Sequence, residues 1–403
     1  MARPETRNMR LLAHDTLAGF GGIGEGMSLQ LARDGKRILW LAHESAPKNF
    51  TGVDVTDPRR PRIVVQTDLP HRRVRSNSLE VCGDLMAVAY QTATHGLTPA
   101  GIELFDIADP AAPRSVSFFD CSGPASRGVH QLWFVDGKTI HFAGGAADFT
   151  PHNLLDDQCY RALDVADPAH PRELGRWWYP GTALGDAAPP PPRHPAFDSG
   201  FRAHNTNVYP ERPDRAYVGY LDGGAIVLDI ADIARPRMVA HWNPHPPFPG
   251  FTHTVMPLLG RDLLVVSDEC VRDDGEDWPK LVWLLDARRD DNLVPISTLP
   301  LPPVEEHQYR GGRYGAHNLH ENRPGPAFHS ETLLFGTYFN GGVRVHDIAD
   351  PFQPREIAFY VPEPPAGSTV PAIQINDVYV DENRMIYAVD RFAGGLYILE
   401  LET

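Results

Sequence analysis

Val345-His346-Asp347-Ile348-Ala349-Asp350-Pro351, closed by Pro354-Arg355, is the stretch on which the fold turns. An apolar run ends in Asp, two residues intervene, and Asp-Pro stops the extended chain. Asp side chains bond the backbone two residues on and Pro locks φ, so the string reads as a tight turn between two strands. It recurs as Val53-Asp54-Val55-Thr56-Asp57-Pro58, Leu104-Phe105-Asp106-Ile107-Ala108-Asp109-Pro110 and Leu163-Asp164-Val165-Ala166-Asp167-Pro168. Leu228-Asp229-Ile230-Ala231-Asp232, a degenerate Leu284-Leu285-Asp286 and a truncated Gly394-Gly395-Leu396-Tyr397-Ile398-Leu399-Glu400 complete the series. From Asp54 to Glu400 the copies are 52 to 65 residues apart. Repeats of that length, with several strands each, are propeller blades rather than solenoid coils. These aspartates are read as turn formers, not as ligands.

Each copy divides into four strand-like pieces between Gly, Asp, Asn or Pro turns. In the sixth they are Ala316–His320, Thr332–Tyr338, Gly342–His346 and Arg355–Tyr360. The last copy contains Gln374–Asp381, Met385–Arg391 and Leu396–Leu401, one strand short. An orphan piece, Met9–His14, resembles the fourth strands elsewhere. The expectation is an all-β, seven-bladed β-propeller occupying 1–403 as a single domain. The N-terminal strand, about residues 9–14, would pair with the C-terminal blade, 374–403, which removes open sheet edges.

The Leu-Asp-Ile-Ala-Asp and Val-His-Asp-Ile-Ala-Asp-Pro strings resemble those of the bacterial β-propellers built from LVIVD-type repeats, over nearly the whole chain. That resemblance implies the fold and says almost nothing about activity.

A net charge of −15 without a lysine-rich tract argues against a nucleic-acid partner. No apolar run is long enough to span a membrane, and Met1–Phe20 lacks a charged-then-apolar leader, so a cytoplasmic protein without a membrane partner is expected. Cys82, Cys121, Cys159 and Cys270 form no CxxC pair and are read as buried or free thiols. Proline clusters at 189–192, 244–249, 300–303 and 362–365 precede the first strand of a blade, and are read as stiff loops walling one mouth of the ring.

One phase of the repeat is chemically distinctive. In ring order it carries Ser28, Ser76, His130, His204, His253, His317 and Asn376, polar residues opening strands that otherwise bury apolar side chains. With 18 histidines in 403 residues, four at one phase of seven is expected by chance on the order of once in a thousand. In a ring, equivalent positions converge on the axis. Four imidazoles there favour a divalent transition metal over calcium or magnesium. Structural zinc normally takes cysteine, and none shares the phase. Iron(II) is the favoured ion, with copper, manganese or zinc as alternatives; histidines hydrogen-bonded to channel water are the bland alternative.

The arrangement is similar to the carotenoid-cleaving oxygenases, propellers in which four histidines hold a non-haem iron. The similarity is in site design, not in sequence strings, and would carry the ligand role to His130, His204, His253 and His317 alone. Glu80, Glu269, Glu321 and Asp377 are candidates to orient metal-bound rings, while His320 lies on the opposite strand face. Arg75, Arg127, Arg202 and Arg313 precede the axial position and would orient an anionic group; with Glu269 they are the candidate catalytic residues. Phe201, Phe251 and Tyr314 would supply an apolar wall.

The expectation is a metal-dependent enzyme, an iron oxygenase or other oxidoreductase acting on a small apolar or aromatic, anionic substrate. A redox-neutral lyase, hydratase or hydrolase stands as an alternative. So does a non-catalytic propeller that scaffolds protein partners.

Overall fold

The computed structural model describes residues 4–402; Met1–Arg3 and Thr403 lie outside the described residues. Seven antiparallel sheets form a ring, each ordered from a first, inner strand to an outer edge. In blade 3 these strands are Val129–Phe134, Thr139–Gly144, Cys159–Asp164 and Arg172–Trp177. Every residue of its inner strand is buried, whereas no residue of the outer strand is. That gradient explains why Val, Leu, Ile and aromatic residues crowd the inner pieces: each is covered by its own sheet and by the next blade.

The recurring Asp string forms the turn expected of it. In six blades the first Asp accepts a hydrogen bond from the backbone N–H two residues on, from Asp54 with Thr56 at 2.9 Å to Asp347 with Ala349 at 2.9 Å. The Arg that ends the motif returns to the same Asp across the strand pair at Asp106–Arg114, Asp164–Arg172, Asp229–Arg237 and Asp347–Arg355. These arginines are about three-quarters exposed. Each such pair contributes at most about 1 kcal/mol, so the turn chemistry matters more than the ion pair.

Closure follows the expected route. Met9–Asp15 pairs antiparallel with Leu396–Leu401, giving the seventh sheet its fourth strand from the other end of the chain. A second closure is new: Glu5–Arg7 adds to Arg355–Val361 at the outer edge of blade 6.

The sixth copy departs from expectation at its inner strand. Ala316–His320 forms no continuous strand; the pairing there is a single bridge, Leu319 with Gly336. The chain then leaves the sheet for residues 321–332, from which Arg323 reaches the Met27 carbonyl and Glu80 in blades 1 and 2. Blade 4 is similar, its inner strand reduced to Thr206–Asn207. The cysteines are free thiols. No helix of the described residues is long and apolar enough to cross a membrane.

Candidate metal centre

Each axial residue sits in a β-bulge. Val129 and Gln131 pair with the adjacent residues Gly144 and Ala143, so His130 is the extra residue between them. Thr252 and Thr254 flank His253 in the same way, and Ile375 and Asp377 flank Asn376. His204 and Asn205 share Gly219, and His317 and Asn318 share Thr337, through the same two backbone hydrogen bonds. A bulge re-aims the side chain it inserts. Here that turns a polar residue out of the apolar sheet-to-sheet layer and onto the axis.

Neighbouring imidazoles close up around the axis; Glu25, His204 and His253 offer atoms within 4.8 Å of one another, as do His253, Glu269 and His317. His130 Nε2 and His204 Nε2 are 2.7 Å apart. Ring centroids are 3.8 Å apart for His204 and His253, and 4.7 Å apart for His253 and His317. His253 and His317 are wholly buried, as is His204 very nearly.

Each opposite ring nitrogen is engaged by an oxygen. His130 Nδ1 faces Gln91 Oε1 at 3.0 Å, and that oxygen is identified by the two hydrogen bonds it accepts from Arg75. His204 Nδ1 faces Asn205 Oδ1 at 2.8 Å, with the Asn205 amide turned by its donation to Glu321. His253 Nδ1 meets Thr254 Oγ1 at 2.7 Å, and His317 Nδ1 meets the Asn376 carbonyl at 2.7 Å. A ring that donates through Nδ1 presents a lone pair at Nε2. The acceptors facing Nδ1 of His130, His204 and His317 therefore leave Nε2 lone pairs on the other side of those rings, whereas the Thr254 hydroxyl can donate or accept; the lone pairs of His130 and His204, 2.7 Å apart, repel unless a cation or a proton lies between them.

A fifth donor, absent from the histidine phase, is Glu25. Its Oε2 lies 3.8, 3.7 and 3.4 Å from Nε2 of His130, His204 and His253, and its Oε1 is 3.6 Å from His317 Nε2. Glu269 approaches from the other side, 3.5 Å from His317 Nε2 and 4.0 Å from His253 Nε2. Glu25 Oε2, His253 Nε2 and His317 Nε2 are buried and make no hydrogen bond. Orphaned polar atoms at a buried centre are costly and call for a partner.

Blade 1 places Glu25 by a larger bulge. Ile23 pairs with His43 and Met27 with Leu41, so Gly24-Glu25-Gly26 loops out of register. A Cβ on Gly24 would stand 2.6 Å from the Asn77 carbonyl, and one on Gly26 would strike the Leu79 backbone nitrogen. Only glycine permits that approach. Asn376 holds the loop from the far side, its Nδ2 donating to the Ile23 and Gly24 carbonyls at 3.0 Å each.

This corrects the phase in two blades. Ser28 Oγ accepts from Val81 N–H at 3.1 Å, and the Ser76 hydroxyl donates to the Asn49 carbonyl. Neither serine faces the imidazoles, because extra residues in both inner strands shift the repeat. A glutamate between two glycines inside a strand was the available signal for Glu25.

The electrostatics follow from burial among few partners. Burial alone would raise the Glu25 carboxyl, but His253, His317, His204 and His130 together hold it well below the ordinary glutamate value. Burial pulls His204 down to about 3 and lowers His130 and His317. His253 goes up, because Glu25 outweighs its burial. Burial opposes but Arg313 and the histidines hold Glu269 down, at about 2.

The expected ring-orienting carboxylates do not touch Nδ1. Glu269 faces the Nε2 side. Glu321 acts one residue removed, accepting from Asn205 at 2.7 Å and Asn207 at 2.8 Å. Glu80 pairs with Arg323, and Asp377 accepts from Val378 N–H at 2.8 Å. His320 bonds the Phe328 carbonyl and Val380 N–H and is no part of the centre.

Below the histidines, Arg323 plugs the channel. It pairs with Glu80 and with Glu321 at 3.3 Å, donates to the Met27 carbonyl at 3.0 Å, and lies 5.4 Å over the Trp133 ring. Burial pushes Asp377, beside this plug, up to about 8 against the pull of Arg323. An unfolded aspartate titrates near 3.9. The stability from keeping Asp377 protonated is full below about pH 4 and is lost as pH rises through about 8. Asp377→Asn should therefore raise the urea midpoint more at about pH 9 than at about pH 5, flattening the wild-type decline across that window.

Above the histidines, the four arginines line the mouth. Arg75 pairs with Glu44 at 2.6 Å, and Arg127 grips Asp157 through Nε and Nη2 at 2.6 and 3.1 Å. Arg202 donates to Gln158 at 3.1 Å and Arg313 to Glu269 at 2.7 Å. Arg391, not read from the sequence, shares Glu44 with Arg75 at 2.8 Å. Of the expected apolar wall, Phe251 lies 6.2 Å from the His204 ring, centroid to centroid. Phe201 packs on Tyr179, and the Tyr314 hydroxyl ends on the Pro302 carbonyl. Phe339 instead stacks on His317 at 4.6 Å. Phe251 and Phe339 have φ of 67° and 49°, a conformation that costs a bulky residue of order 1 kcal/mol or more and clusters at functional sites. The proline-rich segment before blade 4 reaches over this mouth, where Arg272 donates to the Ala196 carbonyl and lies 5.0 Å over Phe197.

No protein-family model matches the chain, and no curated protein matches it in sequence. Solved structures match in fold. The N-terminal domain of Nup159 is 11% identical with a TM-score of 0.57, covering 98% of this chain and 95% of that one. A candidate 6-phosphogluconolactonase from Bacteroides uniformis is 11% identical with a TM-score of 0.55, covering 83% and 85%. The Cps50 (Swd1) β-propeller domain of Myceliophteria thermophila is 13% identical with a TM-score of 0.54, covering 94% and 96%. At such identities these likenesses show the propeller and nothing of its chemistry.

Proposed function

We propose that the protein is a metal-dependent enzyme, with one transition-metal ion held on the propeller axis by His130, His204, His253, His317 and Glu25. The observation that carries this reading is the set of oriented rings: four Nδ1 positions engaged by oxygens, the Glu25 carboxylate within 3.4 to 3.8 Å of each Nε2, and Glu25 Oε2, His253 Nε2 and His317 Nε2 buried without a hydrogen bond. The donor set fits the group. Neutral imidazoles suit first-row transition metals, the single carboxylate adds a hard oxygen, and no thiolate enters that would select zinc or copper(I). Iron(II) is the favoured ion, and the repeat strings support placing the chain among the LVIVD-type propellers.

Bound there, iron would supply redox chemistry with dioxygen; zinc would supply Lewis-acid chemistry instead. The chain's own part is to hold and to exclude. Gln91, Asn205 and the Asn376 carbonyl hold three imidazoles in one tautomer and Thr254 orients the fourth ring, as supporting hydrogen bonds do at metal sites generally. The Arg323 plug closes the lower end, leaving the arginine-lined mouth as the approach for a small substrate. Glu269, tied to Arg313 and held ionised, lies within reach of the Nε2 side and adds a fixed negative charge there.

The test couples elemental analysis with turnover of small aromatic acids, with and without dioxygen. Iron content together with oxygen-dependent turnover supports the oxidoreductase. Turnover indifferent to oxygen points to the redox-neutral lyase or hydrolase, and a metal-free protein to the scaffold.

A further inference from the structure

We infer that Arg313 and Arg391 form the subsite for a carboxylate, and that the substrate is a small aromatic or apolar carboxylic acid packed against Phe392; this rests on the reading of the axis as a metal-dependent catalytic centre. Five arginines approach the mouth, but they are not equally free. Arg127 spends Nε and Nη2 on Asp157. Arg75 spends Nε, Nη1 and Nη2 on Gln91 and Glu44. Arg202 uses Nε on the Ser199 carbonyl and Nη1 on Gln158.

Arg391 donates only through Nη2, to Glu44 at 2.8 Å, and its Nη1 is buried without a partner. Arg313 donates from its side chain only through Nη1, to Glu269 and the Cys270 carbonyl. A guanidinium carries five N–H donors, so both retain a free edge. Leaving a buried guanidinium N–H unpaired costs the desolvation of a charged donor, which a ligand oxygen would recover.

Both face one cavity. Arg313, Gln374, Arg391 and Phe392 line it together with Val271, Arg272, Asp273 and Glu276. The two guanidinium groups flank one ring: Arg313 lies 5.3 Å and Arg391 5.9 Å from the Phe339 centroid. Phe339 in turn stacks on His317, one of the axial histidines. A carboxylate bridging Arg313 and Arg391 would thus place its organic part in the cavity against Phe392, with Phe339 behind the two guanidinium groups. Planar, bidentate recognition of carboxylates is what arginine does better than lysine. The acids in this lining, Asp273 and Glu276, are exposed, whereas both arginines are mostly buried.

Benzoate and benzyl alcohol, probes of one shape and different charge, test this by calorimetric titration at constant ionic strength. Titrations are run on the protein as purified and after chelation, with metal content measured in parallel. Benzoate is expected to bind at least about tenfold more tightly than benzyl alcohol, and Arg391→Gln to remove that preference while keeping the wild-type metal content; a charge-assisted pair of hydrogen bonds is worth about that ratio. Arg391→Lys, which keeps the charge and loses the fork, should recover only part of it. Equal binding of the two probes by the wild-type protein, or an undiminished preference in both variants, overturns the inference. A protein that holds no metal but still prefers benzoate through Arg391 would refute the metal centre and leave the carboxylate subsite standing.

Discussion

Replacing His253 by alanine is expected to leave the purified protein with less than about a tenth of the wild-type metal content, and to abolish any stabilisation that the metal provides. His253 is wholly buried, its Nε2 has no hydrogen-bond partner, and Glu25 Oε2 lies 3.4 Å from it. A ligand that binds only the folded chain, present at about a thousand times its dissociation constant, stabilises by about 4 kcal/mol. Chelation should therefore lower the Tm of the wild-type protein and leave that of His253→Ala unchanged. This separation matters, because removing a buried imidazole also costs packing energy, and that loss would appear with or without a chelator. A variant whose Tm still falls on chelation would place the metal elsewhere.

The second large effect lies below the centre. Arg323→Met should destabilise the fold by about 3–5 kcal/mol, since it leaves Glu80 and Glu321 buried without their cation. Methionine keeps the length of the stem against Trp133 and Tyr379, so the loss measures the charge and not the volume. Adding Glu80→Gln should return part of the stability, because the isosteric amide removes one orphaned charge. Urea midpoints of the single and double variants check this; a double variant no more stable than Arg323→Met would show that Glu80 is not the group left exposed to the loss. Glu321 fixes Asn205, and Asn205 fixes the His204 tautomer, so the plug also reaches the centre. The metal content of Arg323→Met should fall with its stability.

Much of the architecture was legible because it is carried by local chemistry repeated several times. Asp-x-x-Asp-Pro can satisfy its own backbone in a turn, and it does so in each blade that carries it. The histidine phase was legible for the same reason: in blades 3 to 7 one bulge at the inner strand inserts a polar residue. What the repeats hide is where a blade breaks the pattern. Gly24-Glu25-Gly26 puts extra residues into the first inner strand, so counting from the hairpin reaches Ser28 and passes over the carboxylate.

A second circle of positions also went unread. Glu44, Glu269 and Arg391 each directly follow the second strand of a blade, after His43, Asp268 and Asp390, where the sheet hands its chain to the mouth. Of these only Glu269 was singled out, and for a different contact. The inner strand of blade 6 was overread, since Ala316–His320 has an alternating pattern but spends its backbone on a bridge and on neighbouring loops. Glu5–Arg7, three exposed residues without an apolar face, gave no strand signal at all.

The measurement closest to the central claim is anomalous diffraction from crystals of protein purified without chelators. The account predicts a single peak on the propeller axis, about 2.0–2.2 Å from Nε2 of His130, His204, His253 and His317 and from a Glu25 oxygen. Ordered water at that point, hydrogen-bonded to protonated rings and giving no anomalous signal after incubation with iron, copper, manganese or zinc, would contradict it.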